Sequence, residues 1–263
     1  MLRTTLGRSL YGMRRGLVGW GIGVAVCVWV MAAIWPSMQS MDIDALLAQY
    51  PEPLKEAFNV ADYGTGTGFL NGELFSIVIP AIFAVYGIGR GARLVAGEEQ
   101  DGLLELVVVT PTSRTSVLLQ KAAALAVGVA VLGAVLWASI LVGSALAGMD
   151  VGVIPAARAA VLVTLLGIEF GAVALAVGAA TGRRSAAVAA GGGLAVAAYL
   201  LYLVGQLVEG VRPYRWLSPV YQAIVDGPIG PSLPELAALM PLVAIAAVAA
   251  AAPVFDRRDL SGG

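Results

Sequence analysis

Residues 122–147 read AAALAVGVAVLGAVLWASILVGSALA, a run without a charged side chain. At about 1.5 Å of rise per residue, a helix needs about 20 mostly apolar residues to cross a hydrocarbon core of about 30 Å, and this run is long enough. Five more stretches of the same character lie outward from it, at 17–35, 74–95, 159–180, 186–208 and 233–255. The second of the six is the least clean, since Arg90 and Arg93 fall near its end. The first reads as a permanent span, because no small-residue cleavage site followed by a polar mature domain is found after it. Hydrophobic residues make up 59% of the 263 and charged residues only 13%, about half the share in an ordinary soluble domain. The predicted fold class is an all-α integral membrane protein of the cell membrane, a single six-span domain over residues 1–263.

The basic residues fall into two alternating sets. Arg3, Arg8, Arg14 and Arg15, then Arg90, Arg93, Arg114 and Lys121, then Arg183 and Arg184, then Arg257 and Arg258 lie on one side, against Lys55, Arg158, Arg212 and Arg215 on the other. Excess Lys and Arg mark the cytoplasmic side, so both termini are expected inside. The segment 36–73 is then an outer loop, and it carries Asp42, Asp44, Glu52, Glu56 and Asp62 against a lone lysine. The segment 209–232 is a second outer loop, and 96–121 is cytoplasmic. Trp20 and Trp35 suit the two interfaces of the first span, or equally the packing of neighbouring helices. Leu2, Leu6, Leu10, Met13 and Leu17 recur at helical spacing with arginines on other faces, which predicts an interfacial amphipathic helix feeding that span.

Several kinds of chemistry are excluded. There is no histidine and a single cysteine, Cys27, which removes His-based acid–base catalysis, clustered Cys/His metal sites and an internal disulfide. A net charge of -1 gives no global pull toward nucleic acid. Asp42 to Phe58 has the pattern of a kinked amphipathic surface helix, interrupted by Pro51 and Pro53. The run Asp62-Tyr-Gly-Thr-Gly-Thr-Gly68 superficially suggests a phosphate cradle, but it lacks both a Walker ending and dinucleotide-site spacing, so a flexible turn is expected. The chain is read as holding no cofactor, no metal and no nucleotide site of its own, and as not being an enzyme.

The inner loop is more informative. Glu98, Glu99 and Asp101 precede an apolar patch from Leu103 to Val109 that Glu105 interrupts, Pro111 breaks the pattern, and Thr112 or Ser113 can cap the next helix. Carboxylates beside an apolar patch make a docking surface for another protein, while a solvated charged loop is the plainer alternative. The runs Ala96-Gly-Glu-Glu-Gln-Asp-Gly-Leu-Leu-Glu-Leu106, Thr110-Pro-Thr-Ser-Arg114 with Lys121, Asn71-Gly-Glu-Leu-Phe75 and Leu217-Ser-Pro-Val-Tyr221 resemble the ABC-2-type permeases, the membrane subunits of one class of ATP-binding-cassette transporters. The resemblance implies a coupling helix around Glu98, Glu99, Asp101, Leu103, Leu104 and Leu106 that touches a separate cytoplasmic ATPase. It also implies two copies of that ATPase, which would bind the ATP and Mg, a second permease half of the same or a related chain, and transport in the export direction.

Glu169 is the carboxylate deepest within a span. A charge at mid-bilayer costs at least about 2.5 kcal/mol on insertion scales, so this side chain is expected to face the bundle or a wet cavity. Two roles stay open, a proton or path-lining group and a hydrogen bond across a helix interface. Gly167 and Gly171 beside it form a small-xxx-small pair, as do Gly19 with Gly23 and Gly87 with Gly91. In the 209–232 loop four prolines prevent a long helix; Trp216, Ser218, Pro219 and Tyr221 are candidates for an outer gate by resemblance, or parts of an inert structured loop. The rival to an ATP-driven permease is a secondary transporter with Glu169 as its proton or substrate site.

Overall fold

The structure is a computed structural model, and it describes residues 4–39, 62–102 and 113–258. In chain order its helices are α1 (Thr5–Gln39), the short α2 (Gly66–Leu70), α3 (Val78–Gln100), α4 (Arg114–Ala147), α5 (Val153–Thr181), α6 (Arg184–Leu207), the short α7 (Pro219–Ile224) and α8 (Leu239–Arg257). Six of these are long and apolar enough to cross a membrane, one over each apolar stretch of the sequence, and no strand occurs among the described residues. The helices α1 and α4, with 35 and 34 residues, are each about 50 Å long and overshoot a hydrocarbon core of about 30 Å.

Local chemistry sets the ends. Ser113 caps α4 by accepting a hydrogen bond from the Ser116 amide at 3.2 Å, and Gly148 (φ +67°) and Gly182 (φ +68°) end α4 and α5 in the left-handed conformation that glycine adopts without strain. The amphipathic repeat at the N-terminus is not set off as a helix of its own: α1 starts at Thr5 and runs unbroken into the span. The helix α3 begins at Val78, later than the apolar run suggested, because Asn71–Phe75 is a π-helical turn that closes α2. Near its other end α3 widens into a second π-helical turn, Arg93–Gly97, before Glu98–Gln100.

The bundle is built around α5, which packs against α3, α4, α6 and α8, while α1 lies along α4. Small residues make this position possible, since Ala159, Ala160, Gly167, Gly171, Ala174 and Ala179 are all buried. Two of the glycine pairs meet each other. A β-carbon on Gly87 would stand 2.1 Å from the Gly167 carbonyl oxygen and one on Gly91 2.0 Å from that of Gly171, so α3 and α5 cross backbone on backbone. The Gly19 and Gly23 pair of α1 meets nothing within 4 Å.

Trp35 is buried in the bundle and Trp20, half-buried, packs against it. Trp35 lies 5.4 Å from Phe69 and Trp20 meets Tyr86 edge-on at 5.8 Å, an arrangement that stabilises helix contacts. The run from Asp62 to Gly68 is not a loose turn either. Thr65 Oγ1 accepts from the Gly68 amide at 3.0 Å and caps α2, and Gly68 lies against the Asp62 carbonyl where a β-carbon would be 1.8 Å away. The expected surface helix between Asp42 and Phe58 lies outside the described residues.

Candidate functional site

The alternation of the helices gathers the N-terminal part of α1, the end of α3, the start of α4, the end of α5 and the end of α8 at one end of the bundle, the end that holds the larger basic set. A polar junction is built there. Lys121, one helical turn and more into α4, is completely buried and donates to Leu94 O and Glu98 Oε2, both at 2.5 Å. Arg258, just past α8, donates to Glu99 Oε2, and Glu99 Oε1 and the Arg258 guanidinium both crowd Gly182 at the end of α5. Arg114 donates to the carbonyls of Phe255 (3.4 Å) and Arg258, and Thr115 Oγ1 donates to Asp256 Oδ2 at 2.7 Å. Leu6 N, on α1, donates to Gln120 Oε1 at 3.2 Å. Buried charges are tolerated when paired and hydrogen-bonded, and here the pairing ties α3 to α4 and to α8.

The two carboxylates of the inner loop are therefore engaged within the chain. The Glu99 side chain is 4% exposed and that of Glu98 26%, so Glu99 has almost no surface to offer another protein, whereas Asp101 is exposed. Leu103, Leu104 and Leu106 lie outside the described residues.

At the opposite end the second outer loop is folded onto the bundle. The Asn71 side-chain amide bonds both sides of one residue, accepting from Ile229 N at 3.0 Å and donating to Ile229 O at 3.3 Å. Arg158 of α5 donates to the carbonyls of Gly230 (3.2 Å) and Pro231. Ser218 is buried, donates to Ala198 O at 2.7 Å and caps α7 by accepting from Tyr221 N. Pro219 and Tyr221 are buried with it, while Trp216 is 45% exposed. Of the four gate candidates, Pro219 and Tyr221 thus sit on a short helix packed against α6 and capped by Ser218, while Trp216 faces outward from the turn before it. Near the start of α2, Tyr63 donates to Glu73, and burial together with that carboxylate pushes the phenol above its usual range.

Glu169 lies near the middle of α5 and is 3% exposed; its Oε2 has no hydrogen-bond partner among the described residues. Next to it in sequence, Leu166 and Phe170 line an apolar groove of about 380 Å³ between α3, α5 and α6, together with Val85, Ile88, Val196 and Tyr199. Its walls suit an apolar or amphipathic occupant.

Lys121, Arg258 and Asn71 are the residues whose structural importance the sequence did not reveal. A signal existed for Lys121, which is followed at once by an uninterrupted apolar run and so had to be buried or snorkel. Nothing in the sequence links Asn71 to Ile229.

The described architecture is that of a multi-pass integral membrane protein of the cell membrane whose surface carries an open apolar groove and whose basic end is cross-braced. The chain belongs to the family described as multidrug efflux system permease Rv1217c, C-terminal domain, whose model matches residues 2–256. It is a transport permease of the efflux type. Among curated proteins, none matches the chain.

Proposed function

We propose that this chain is one permease half of an ATP-driven exporter of amphipathic molecules. In this reading both termini and the cross-braced end are cytoplasmic, two separate ATP-binding-cassette ATPase subunits act on that end, and a second permease half, the same or a related chain, completes the path. ATP and Mg belong to the ATPase. The likeness of the 96–121 segment to ABC-2-type permeases supports the coupling, and the family's description as a C-terminal domain supports the idea of one half among others. The word multidrug in that description and the apolar walls beside Phe170 support a diverse, amphipathic cargo.

The observation that carries the reading is the pair of ion pairs at Glu98 and Glu99. Glu98 and Glu99, close before the 103–112 segment in sequence, join the end of α3 to α4 through Lys121 and to α8 through Arg258, so a push delivered there reaches both helices. Glu98 and Glu99 then act as internal struts, and Asp101 with Leu103, Leu104 and Leu106 is the docking face. The test is purification from the native membrane with the ATPase identified. Leu103→Asp/Leu104→Asp/Leu106→Asp is expected to lose the ATPase, whereas Glu98→Gln/Glu99→Gln, which keeps shape and hydrogen bonding, keeps it but uncouples hydrolysis from transport. A wild-type chain that transports in vesicles with no ATPase present overturns the reading.

That last outcome belongs to the second reading, a secondary transporter, which the buried Glu169 Oε2, without a partner among the described residues, favours. Under it, Glu169→Gln abolishes transport driven by an imposed pH gradient. Under the ATP-driven reading the same variant assembles and transports.

A further inference from the structure

We propose that the cavity between α1 and the π-turned end of α3 binds the phosphate of an anionic phospholipid headgroup. The inference rests on the cytoplasmic placement of this end and not on the ATPase.

The cavity measures about 550 Å³ and is bounded by Thr5 to Gly16 on α1 and by Arg90 to Asp101 on α3. Each wall covers about 16 Å of helix. The two helices run in opposite directions, with Arg90 lying across Gly16 at the deep end and Asp101 at the rim. Arg8, Arg90 and Arg93 line it, against Glu98 and Asp101. Glu98 is already matched by Lys121. None of the three arginines has a carboxylate partner among the described residues, so the cavity keeps an excess of positive charge. Arg90 lies over the Tyr86 ring at 5.5 Å, which steadies the guanidinium without neutralising it. Guanidinium groups bind phosphate oxygens through paired, charge-assisted hydrogen bonds. Basic pockets between membrane helices on the cytoplasmic side are suited to phospholipid headgroups.

The surface above the cavity suits the rest of the same molecule. Gly12, Gly16, Gly19 and Gly23 fall within an arc of about 60° at 100° per residue. Of these, Gly12, Gly19 and Gly23 have nothing within 4 Å of a β-carbon position, and exposed Val26 and Val30 continue the track. A phosphate held at Arg90 and Arg93 therefore has a smooth apolar track leading away from it toward the membrane centre, where an acyl chain belongs. A free phosphate ion has no use for that track. The occupant would bridge α1 to the turn Arg93–Gly97, one residue from the Glu98 strut, and so tie the lipid to the braced end.

The test uses the full chain with any subunit that copurifies with it, stripped of lipid in detergent and titrated with phosphatidylglycerol, phosphatidylcholine or inorganic phosphate. Bound lipid is counted by native mass spectrometry. Phosphatidylglycerol is expected to bind at least about tenfold more tightly than phosphatidylcholine, since only its headgroup brings a net negative charge to the uncompensated arginines. Arg90→Gln/Arg93→Gln should remove that preference, and the charge-matched control Arg183→Gln/Arg184→Gln should keep it. Equal retention of both lipids by the wild type overturns the proposal without reference to any variant. Displacement of phosphatidylglycerol by millimolar inorganic phosphate, with equal thermal protection, assigns the site to a soluble anion and overturns it too.

Discussion

Replacing Lys121 with methionine tests whether charge holds the braced end together. Methionine keeps the unbranched apolar stem and refills most of the space, so the cavity cost is small. What disappears is an ammonium with two contacts of 2.5 Å, to Leu94 O and Glu98 Oε2. Charge-assisted hydrogen bonds contribute about 1.5–3 kcal/mol each, a gross loss of about 3–6 kcal/mol. Against this stands the desolvation of a fully buried ammonium, an effective penalty of several kcal/mol that vanishes with the group. Glu98 is left without its partner, but its side chain has 26% exposure and can turn toward water. The expected net destabilisation of Lys121→Met is about 2 kcal/mol, and Lys121→Met/Glu98→Gln, which removes the stranded charge as well, recovers about 1 kcal/mol of it. The assay is unfolding of the wild type, both single variants and the double in one detergent, read as a double-mutant cycle. Wild-type stability in Lys121→Met, or a coupling energy of zero between the two sites, would refute the strut.

Gly91→Ala sets a β-carbon 2.0 Å from the Gly171 carbonyl oxygen and must drive α3 from α5; it is expected to cost at least the upper part of the overpacking range of about 1–3 kcal/mol. Gly89→Ala, which meets nothing within 4 Å, is the neutral control in the same thermal assay. Asn71→Ala leaves the buried Ile229 N–H and C=O unpaired, at about 2 kcal/mol or more, and faster hydrogen exchange across residues 225–232 is the measurement; unchanged exchange would count against the clamp. With Cys27→Ser as background, single cysteines at Asp101 and Asp226, both exposed, place the two ends of the bundle. A membrane-impermeant thiol reagent on intact cells should label position 226 and not 101, and the reverse pattern inverts the topology.

The spans were legible because hydrocarbon thickness turns helix length and apolar composition into nearly one question, and stretches such as 122–147 answer it without a charged residue. Ser113 as a helix cap was legible for a similar reason, since capping is local. What needed coordinates was partner choice. Gly87 and Gly91 announce that some backbone approaches closely, but the pattern does not name Gly167 and Gly171 as the other side. The same holds for Glu98 and Glu99, whose charges suggested an outside partner until Lys121 and Arg258 were found beside them. Trp20 and Trp35 are a further case: an aromatic at a span's end suits both an interface and a neighbouring ring, and the ring contacts to Tyr86 and Phe69 are visible only in the coordinates. Asn71 and Ile229 are 158 residues apart, and no periodicity reaches that far.

The contacts of Arg258 also set an order on biogenesis. As a ribosome delivers the helices into the membrane, α3 and α4 are inserted long before α8, so Glu99 and the Arg114 guanidinium spend most of synthesis without the residues that will satisfy them. Only when the segment from Phe255 to Arg258 emerges can the ring of helices lock around α5. A nascent chain halted before that point presents an unlatched bundle with the Glu99 carboxylate stranded at its end.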